Sequence, residues 1–100
     1  VNLVGGLKID DPAADLSIIS AIASSTMDKY IEKDIVLCGE VGLTGEVRSI
    51  SHLYHRITEA LSLGFKKAIV PSFGVKEKLK NVDIELYPVK NVKEAFKILF

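Results

Sequence analysis

Apolar residues along this chain follow two patterns, short runs that are typical of strands and stripes of helical spacing. The strand-like segments lie at 1–9, 35–38, 47–50, 68–70 and 84–87. The helical segments lie at 12–27, 52–63, 74–80 and 92–99. These elements follow one another as β-α-β-β-α-β-α-β-α with short connections. This order predicts an α/β (α+β) domain in which helices cover a mixed sheet.

The first helical segment carries its own start signals. Pro12 suits the first helical position, because its fixed φ is helical and its missing N–H would have no partner there. Asp11 then stands at the N-cap, where a carboxylate accepts a hydrogen bond from the helix end. The segment 12–27 is apolar on most of its circumference, which predicts a helix buried in the core.

Cap residues delimit two of the other helices. Ser51 is the expected N-cap of the second helix, and Gly64 is its expected C′ residue. Asn91 is the expected N-cap of the last helix. In the short helix over 74–80, we expect the apolar side chains to face the core.

Glycines recur along the segment 39–50, which predicts a β-hairpin with its turn at Thr44-Gly45. The segment has no Gly-Lys-Ser/Thr ending and no GxGxxG string that opens a helix. A phosphate-binding loop is therefore not expected.

Length and charge set the broad class. With 100 residues and 48% hydrophobic content, the chain suits one compact domain over 1–100. The formal net charge is zero, which argues against strong non-specific attraction to nucleic acid but leaves room for a local basic face. The sequence opens at Val1 without an initiator Met, and we expect it to be a fragment of a longer chain.

Cysteine content and hydropathy bear on location. Cys38 is the single cysteine, so it cannot form an intramolecular disulfide, and its apolar neighbours predict a buried small hydrophobe. Nothing here indicates an oxidising compartment, and we expect a cytoplasmic protein. No apolar run approaches the roughly 18 residues that span a bilayer, so no membrane partner is expected.

Residues with reactive side chains are sparse at the places where chemistry is common. A helix N-terminus that faces a loop often mounts a nucleophile, but the first helix has Ala13 and Ala14 there. His52 and His55 have a helical spacing that can chelate a metal, yet no cysteine or third histidine completes a site. We expect neither a metal nor another cofactor in this domain.

Four strings of the sequence match a known pattern. They are VGG at 4–6, PAADL at 12–16, GEVGLTGEVR at 39–48 and GFKKAIVP at 64–71. Together they resemble the C-terminal domain of the RadA (Sms) family of bacterial DNA-repair proteins, a domain that is similar to the proteolytic domain of Lon. The resemblance covers nearly the whole chain. It implies the Lon proteolytic-domain fold, which is of the ribosomal protein S5 domain 2-like type.

Lon proteases use a serine and a lysine as a catalytic dyad. The resemblance places the serine position at Ala13 and the lysine position at Arg56. A methyl group cannot attack a carbonyl, and a guanidinium cannot act as a general base because it stays protonated. The resemblance therefore implies a Lon fold without proteolysis. Arg56 is free to pair with an acidic residue such as Asp15.

The resemblance also implies partners. Domains of this family assemble into six-membered rings, and we expect a homo-oligomer, a hexamer in the full-length protein. The ATPase module, with its ATP and Mg, belongs to a part of the parent protein upstream of this chain. Single-stranded or branched DNA is the expected ligand, with Lys8, Arg48 and Arg56 as candidate contacts to phosphates. The same cations are alternatively ordinary surface charges or members of inter-subunit ion pairs.

Two other functions remain open from the residues. One is a serine peptidase with a displaced nucleophile, for which Ser17 lies one turn after Ala13 and a lysine such as Lys8 would serve as base. The other is a passive protein-interaction module.

Overall fold

The computed structural model describes residues 11–100 and, before them, two short strands, β1 (Leu3–Val4) and β2 (Leu7–Lys8). The two strands pair antiparallel, with Leu3 opposite Lys8.

This pairing corrects the prediction of a single strand over 1–9. Gly5 and Gly6, which the VGG string contains, lie outside the described residues.

The remaining elements follow in chain order. The strands are β3 (Ile35–Leu37), β4 (Glu40–Val41), β5 (Val47–Arg48), β6 (Lys67–Pro71) and β7 (Glu85–Val89). The helices are α1 (Asp15–Met27), α2 (Leu53–Ser62), α3 (Val75–Lys78) and α4 (Val92–Leu99), and a 3-10 turn (Pro12–Ala14) leads directly into α1.

A parallel sheet in the order β3, β6, β7 forms the centre of the fold. Successive side chains of a strand point to opposite faces, so neighbouring residues of β6 enter two different hydrophobic clusters. Val70 lies in one cluster with Leu53 of α2. Ile69 lies in the other with Leu16 of α1 and Ala95 of α4. Helices therefore cover both faces of the sheet, which confirms the α/β class.

The antiparallel strands lie apart from this sheet. Strands β1 and β2 form one two-stranded ribbon and β4 and β5 form another, so the described central sheet is parallel rather than mixed. The predicted hairpin is present, with Thr44 in its tip and Gly45 at a φ of 84°. A bridge between Glu46 and Asn91 joins it to the start of α4.

The ends of α2 match the prediction at one side only. The N-cap is His52, which has a φ of 59° and no side-chain cap, so the prediction of Ser51 was wrong by one residue. At the other end Gly64 has a φ of 98°, and the N–H of Phe65 donates to the carbonyl oxygen of Ala60. These are features of a glycine-terminated helix, as predicted.

The two later helices behave as the sequence predicts. Asn91 Oδ1 accepts a hydrogen bond from the N–H of Glu94 at 2.8 Å and so caps α4. Val75 and Leu79, on and just after α3, are buried.

Helix α1 differs from the predicted core helix. Of its 13 residues, Asp15, Leu16 and Ser20 are buried, whereas Ile22 is 52% and Met27 is 43% exposed. One side of α1 packs on the sheet, and no described part of the chain covers the other side. The apolar circumference of the helix did not predict its burial, because burial depends on what packs around the helix. Among the described helices, none combines the length and apolarity that crossing a membrane requires.

Candidate functional site

The turn that leads into α1 is built around a capping carboxylate. Asp11 Oδ1 accepts a hydrogen bond from the N–H of Ala13 at 3.0 Å, and Pro12 is the first residue of the turn. The predicted N-cap is thereby confirmed. The side chain at position 13 is a methyl group that is 7% exposed. The turn therefore presents no group that could act as a nucleophile at this position.

Backbone hydrogen bonds hold this turn against the end of β3. The N–H of Gly39 donates to the carbonyl oxygen of Ala13 at 3.2 Å, and the N–H of Leu16 donates back to the Gly39 oxygen at 3.1 Å. A Cβ at position 39 would lie 2.7 Å from Cγ1 of Val47, so the close approach depends on glycine.

The buried carboxylate of Asp15 adds a third connection. Its Oδ2 accepts a hydrogen bond from the N–H of Val41 at 3.1 Å, which ties the first turn of α1 to β4. Asp15 is 5% exposed. A buried carboxyl group needs such partners, because the desolvation of its polar oxygens is otherwise costly.

Arg56 of α2 reaches the same turn from the other side. Its Nη2 lies 3.2 Å from Oδ2 of Asp11, and its Nε donates to the carbonyl oxygen of Ser51 at 3.4 Å. The sequence suggested an acidic partner such as Asp15, and the structure gives Asp11. One carboxylate thus caps the turn that holds Ala13 and also binds Arg56.

An apolar cavity of about 310 Å³ opens beside this ion pair. It is lined by Ala13, Ala14, Ser17, Val36, Leu37, Cys38, Arg56, Glu59, Ala60, Leu63 and Phe65. A second cavity of about 180 Å³ also has Ala13 and Arg56 in its wall, together with Asp11 and Glu40. Positions 13 and 56 therefore line the same two cavities.

Comparison with known proteins decides the family. The Lon protease (S16) C-terminal proteolytic domain matches residues 4–100. The chain belongs to this family. It is also similar to proteins named DNA repair protein RadA, with 41% identity over 100 residues in Aquifex aeolicus, 43% over 97 in Bacillus subtilis and 39% over 98 in Escherichia coli. The resemblance to the RadA C-terminal domain is confirmed.

The alignments cover nearly all of this chain but only a small part of each relative. They include 100%, 97% and 98% of this chain, but 22%, 21% and 21% of the three relatives. The chain therefore spans about a fifth of the length of the curated relatives that it matches.

Two other side chains with reactive groups line the larger cavity of this Lon-type domain. Cys38 is 6% exposed, as predicted for a small hydrophobe. Burial raises its thiol pKa to about 11, although Arg56 lowers it and Asp11 raises it further. The thiol is therefore protonated at neutral pH, and a protonated thiol is a poor nucleophile. Ser17 is exposed on the same wall.

The guanidinium of Arg48 lies between two carboxylates of its own hairpin. Nη2 is 2.8 Å from Oε2 of Glu46, and Nη1 is 3.7 Å from Oε1 of Glu40. The hydroxyl of Thr44 donates to the other Glu46 oxygen at 2.7 Å. The Thr44 and Arg48 hydrogen bonds, in that order, lower the pKa of Glu46 to about 2. A phosphate would have to compete with these carboxylates for Arg48.

The other predicted residues are placed as follows. The backbone of Lys8 lies in β2, and its side chain is outside the described residues. The rings of His52 and His55 lie 6.2 Å apart. Within the part of the chain that the structure describes, no group of three or more metal-binding side chains occurs.

Three contacts were not predicted from the sequence: Asp11 with Arg56, Asp15 with Val41, and Glu46 with its hairpin neighbours. For Glu46, an available signal was its spacing of two from Arg48 at the start of the predicted strand, because alternate residues of an extended chain share one face. The partners of Asp11 and Asp15 are 45 and 26 residues away, and no local pattern marks them.

Proposed function

We propose that this domain is the non-proteolytic Lon-like part of a RadA-type DNA repair and recombination ATPase, where it acts as an oligomerisation scaffold and contacts DNA. The observation that supports the first half is that Ala13 and Arg56, which the resemblance to Lon assigns to the dyad positions, line the same two cavities. The methyl group has no hydroxyl that could attack a carbonyl, and the guanidinium beside Asp11 keeps its proton near neutral pH and so cannot act as a general base. The relatives named DNA repair protein RadA support the second half.

Proteolysis is tested directly with casein. We expect no cleavage by the 100-residue chain, and none by the Ser17→Ala variant. Ser17 lines the larger cavity, which is the observation that favours the alternative of a displaced nucleophile. Cleavage by the wild-type chain that Ser17→Ala abolishes would establish that alternative, with Lys8→Ala as the test of the base.

DNA contact is assigned to Lys8, Arg48 and Arg56, with single-stranded or branched DNA as the ligand. Affinity that depends on phosphate contacts falls as the salt concentration rises. On a plot of log affinity against log salt concentration, the slope is roughly one per phosphate contact. The double variant Lys8→Ala, Arg48→Ala should therefore bind more weakly and show a smaller slope. Lys76→Ala with Lys78→Ala, two exposed lysines on α3, is the matched control. Equal affinities for the two double variants would remove the DNA half of the proposal.

Assembly concerns the full-length protein. We expect a ring of six copies, with ATP and Mg bound in the ATPase module outside this chain, in the cytoplasm. Ile22 and Met27 on α1 are exposed apolar side chains of the kind that subunit contacts cover. Light scattering of the full-length protein tests this expectation, and a monomer with ATP and Mg present would contradict it.

The remaining alternative is a passive protein-interaction module. The apolar cavity beside Leu63, which is 72% exposed, is the observation that favours it. Recovery of a partner protein but no DNA in a pull-down with the full-length protein would support this function over DNA contact.

A further inference from the structure

Three exposed rings lie together where α2 begins. They belong to His52, Tyr54 and His55, and Tyr54 is 50% exposed. The centroid of the His55 ring is 6.2 Å from that of His52 and 6.0 Å from that of Tyr54. The ring planes meet at 48° and 75°, so the rings do not stack on one another. We call these three side chains the aromatic patch.

The fold forces the patch outward. Helix α2 buries Leu53 and Ile57 against the sheet, and these positions define its inner stripe. Tyr54 and His55 lie off that stripe and point to solvent, as their exposure shows. His52 precedes the helix with a left-handed φ of 59°, which sets its ring beside that of His55. Because the packed helix already fixes the backbone that carries the rings, little backbone conformational entropy is lost when a ligand binds.

A cation lies at the same end of α2. The Arg56 side chain runs back to the carbonyl oxygen of Ser51, the residue before His52, and its guanidinium is 40% exposed. The first turn of α2 contains no acidic residue. Three described acids lie near this end of α2: Asp11 pairs with Arg56, Glu40 lines a cavity together with Ser51 and Arg56, and Glu59 lies one turn beyond His55.

Exposed aromatic faces next to a cation are the features with which proteins bind unpaired bases. Every base has a π-face, so stacking on Tyr or His tolerates any sequence, while a guanidinium contacts the phosphate beside the base. A duplex keeps its bases stacked inside and offers no free faces. Two histidines could instead hold a metal ion, but no third ligand accompanies them among the described residues.

We propose that the aromatic patch stacks on unpaired bases of single-stranded DNA and that Arg56 contacts the adjoining phosphate. This inference rests on the DNA contact in the proposed function and adds the surface that makes the contact selective for single strands.

Fluorescence anisotropy of a labelled thymidine oligonucleotide tests the patch in the 100-residue chain. Tyr54→Ala should weaken binding by about tenfold, the loss typical of one stacked base. Tyr54→Phe retains the ring and should bind like the wild type. Tyr30→Ala is the matched control, because Tyr30 is 94% exposed and belongs to neither the patch nor the ion pairs. Circular dichroism checks that each variant is folded.

Salt separates the patch from the phosphate contacts. Stacking involves no counterion release, so the factor lost in Tyr54→Ala should stay the same as salt rises, whereas the loss in Arg56→Ala should shrink. If Tyr54→Ala and Tyr30→Ala bind the oligonucleotide equally well, this inference is overturned. The DNA contact in the proposed function still holds in that case if the Lys8→Ala, Arg48→Ala double variant binds weakly. Absence of binding by the wild-type chain overturns both this inference and the DNA contact in the proposed function.

Discussion

Arg48 and Arg56 are both paired with carboxylates, but the two pairs differ in how far apart their partners lie along the chain. Arg48 binds Glu46, two residues away in the same hairpin. Arg56 binds Asp11, and 45 residues separate them. Both pairs are exposed, and exposed ion pairs contribute little to stability. What differs is their dependence on the fold: the hairpin pair needs only a turn, whereas the Asp11 pair needs α2 packed beside the start of α1.

The largest effect is expected from a substitution that pushes the turn before α1 away from the end of β3. In Gly39→Ala the new Cβ would lie 2.7 Å from Val47 Cγ1, a stiff side chain in the core. We expect a loss of about 2 kcal/mol in the free energy of unfolding, measured with urea. Gly45→Ala, where a Cβ meets nothing within 4 Å but φ is 84°, is the control and should cost about 1 kcal/mol from backbone strain. A smaller cost at position 39 than at position 45 would show that the turn is not held tightly.

Substitutions of Asp11 separate its two roles. Asp11→Ala removes both the cap and the partner of Arg56, and should cost about 1 kcal/mol or slightly more. Asp11→Asn keeps a capping oxygen and loses only the charge, so its cost should be less than half of that. Urea unfolding of both variants, at low and high salt, measures the difference. Equal costs would mean that the ion pair, not the cap, dominates.

A smaller effect is expected in the local pair. A Cβ at position 42 would clash with the carboxylate of Glu46, and this flexible side chain can rotate away. Gly42→Ala should therefore break the hydrogen bonds from Thr44 and Arg48 while lowering the free energy of unfolding only slightly, because these exposed groups can bond to water instead. The expected signature is a rise in the pKa of Glu46 from about 2 toward its ordinary value, followed by NMR. An unchanged Glu46 pKa would contradict these contacts.

The smallest effect is a dependence of stability on pH. The folded-state pKa of Glu46 is about 2, against an ordinary value of 4.5. A lowered pKa stabilises the fold above the ordinary value, and this contribution is lost as pH falls from 4.5 toward about 2. The urea concentrations at which the wild type and Glu46→Gln are half unfolded should therefore converge as the pH falls through this range. A constant gap between them would show that Glu46 does not contribute through its charge.

Local chemistry was predicted well from the sequence. The Asp11 N-cap, the Asn91 N-cap, the turn at Thr44-Gly45 and the Gly64 helix end each depend on neighbouring residues, and all are present. Ser51 failed as a cap because the backbone of His52 adopts a left-handed conformation that no local pattern requires.

Burial was predicted less well. The apolar helix over 12–27 was expected inside a core, yet Ile22 on α1 is half exposed. The strand predicted at 68–70 is present in β6, and both of its faces are buried because helices of the same chain cover each of them.

The sequence by itself determined the Asp11 and Asn91 caps, the hairpin and the class of fold, since these depend on residue type and short spacing. Only the tertiary structure decided that Arg56 binds Asp11, that Asp15 holds Val41 and that three rings meet at the start of α2. Such contacts join groups whose separation along the chain carries no information about their distance in space. That distance is fixed only when the helices pack on the sheet.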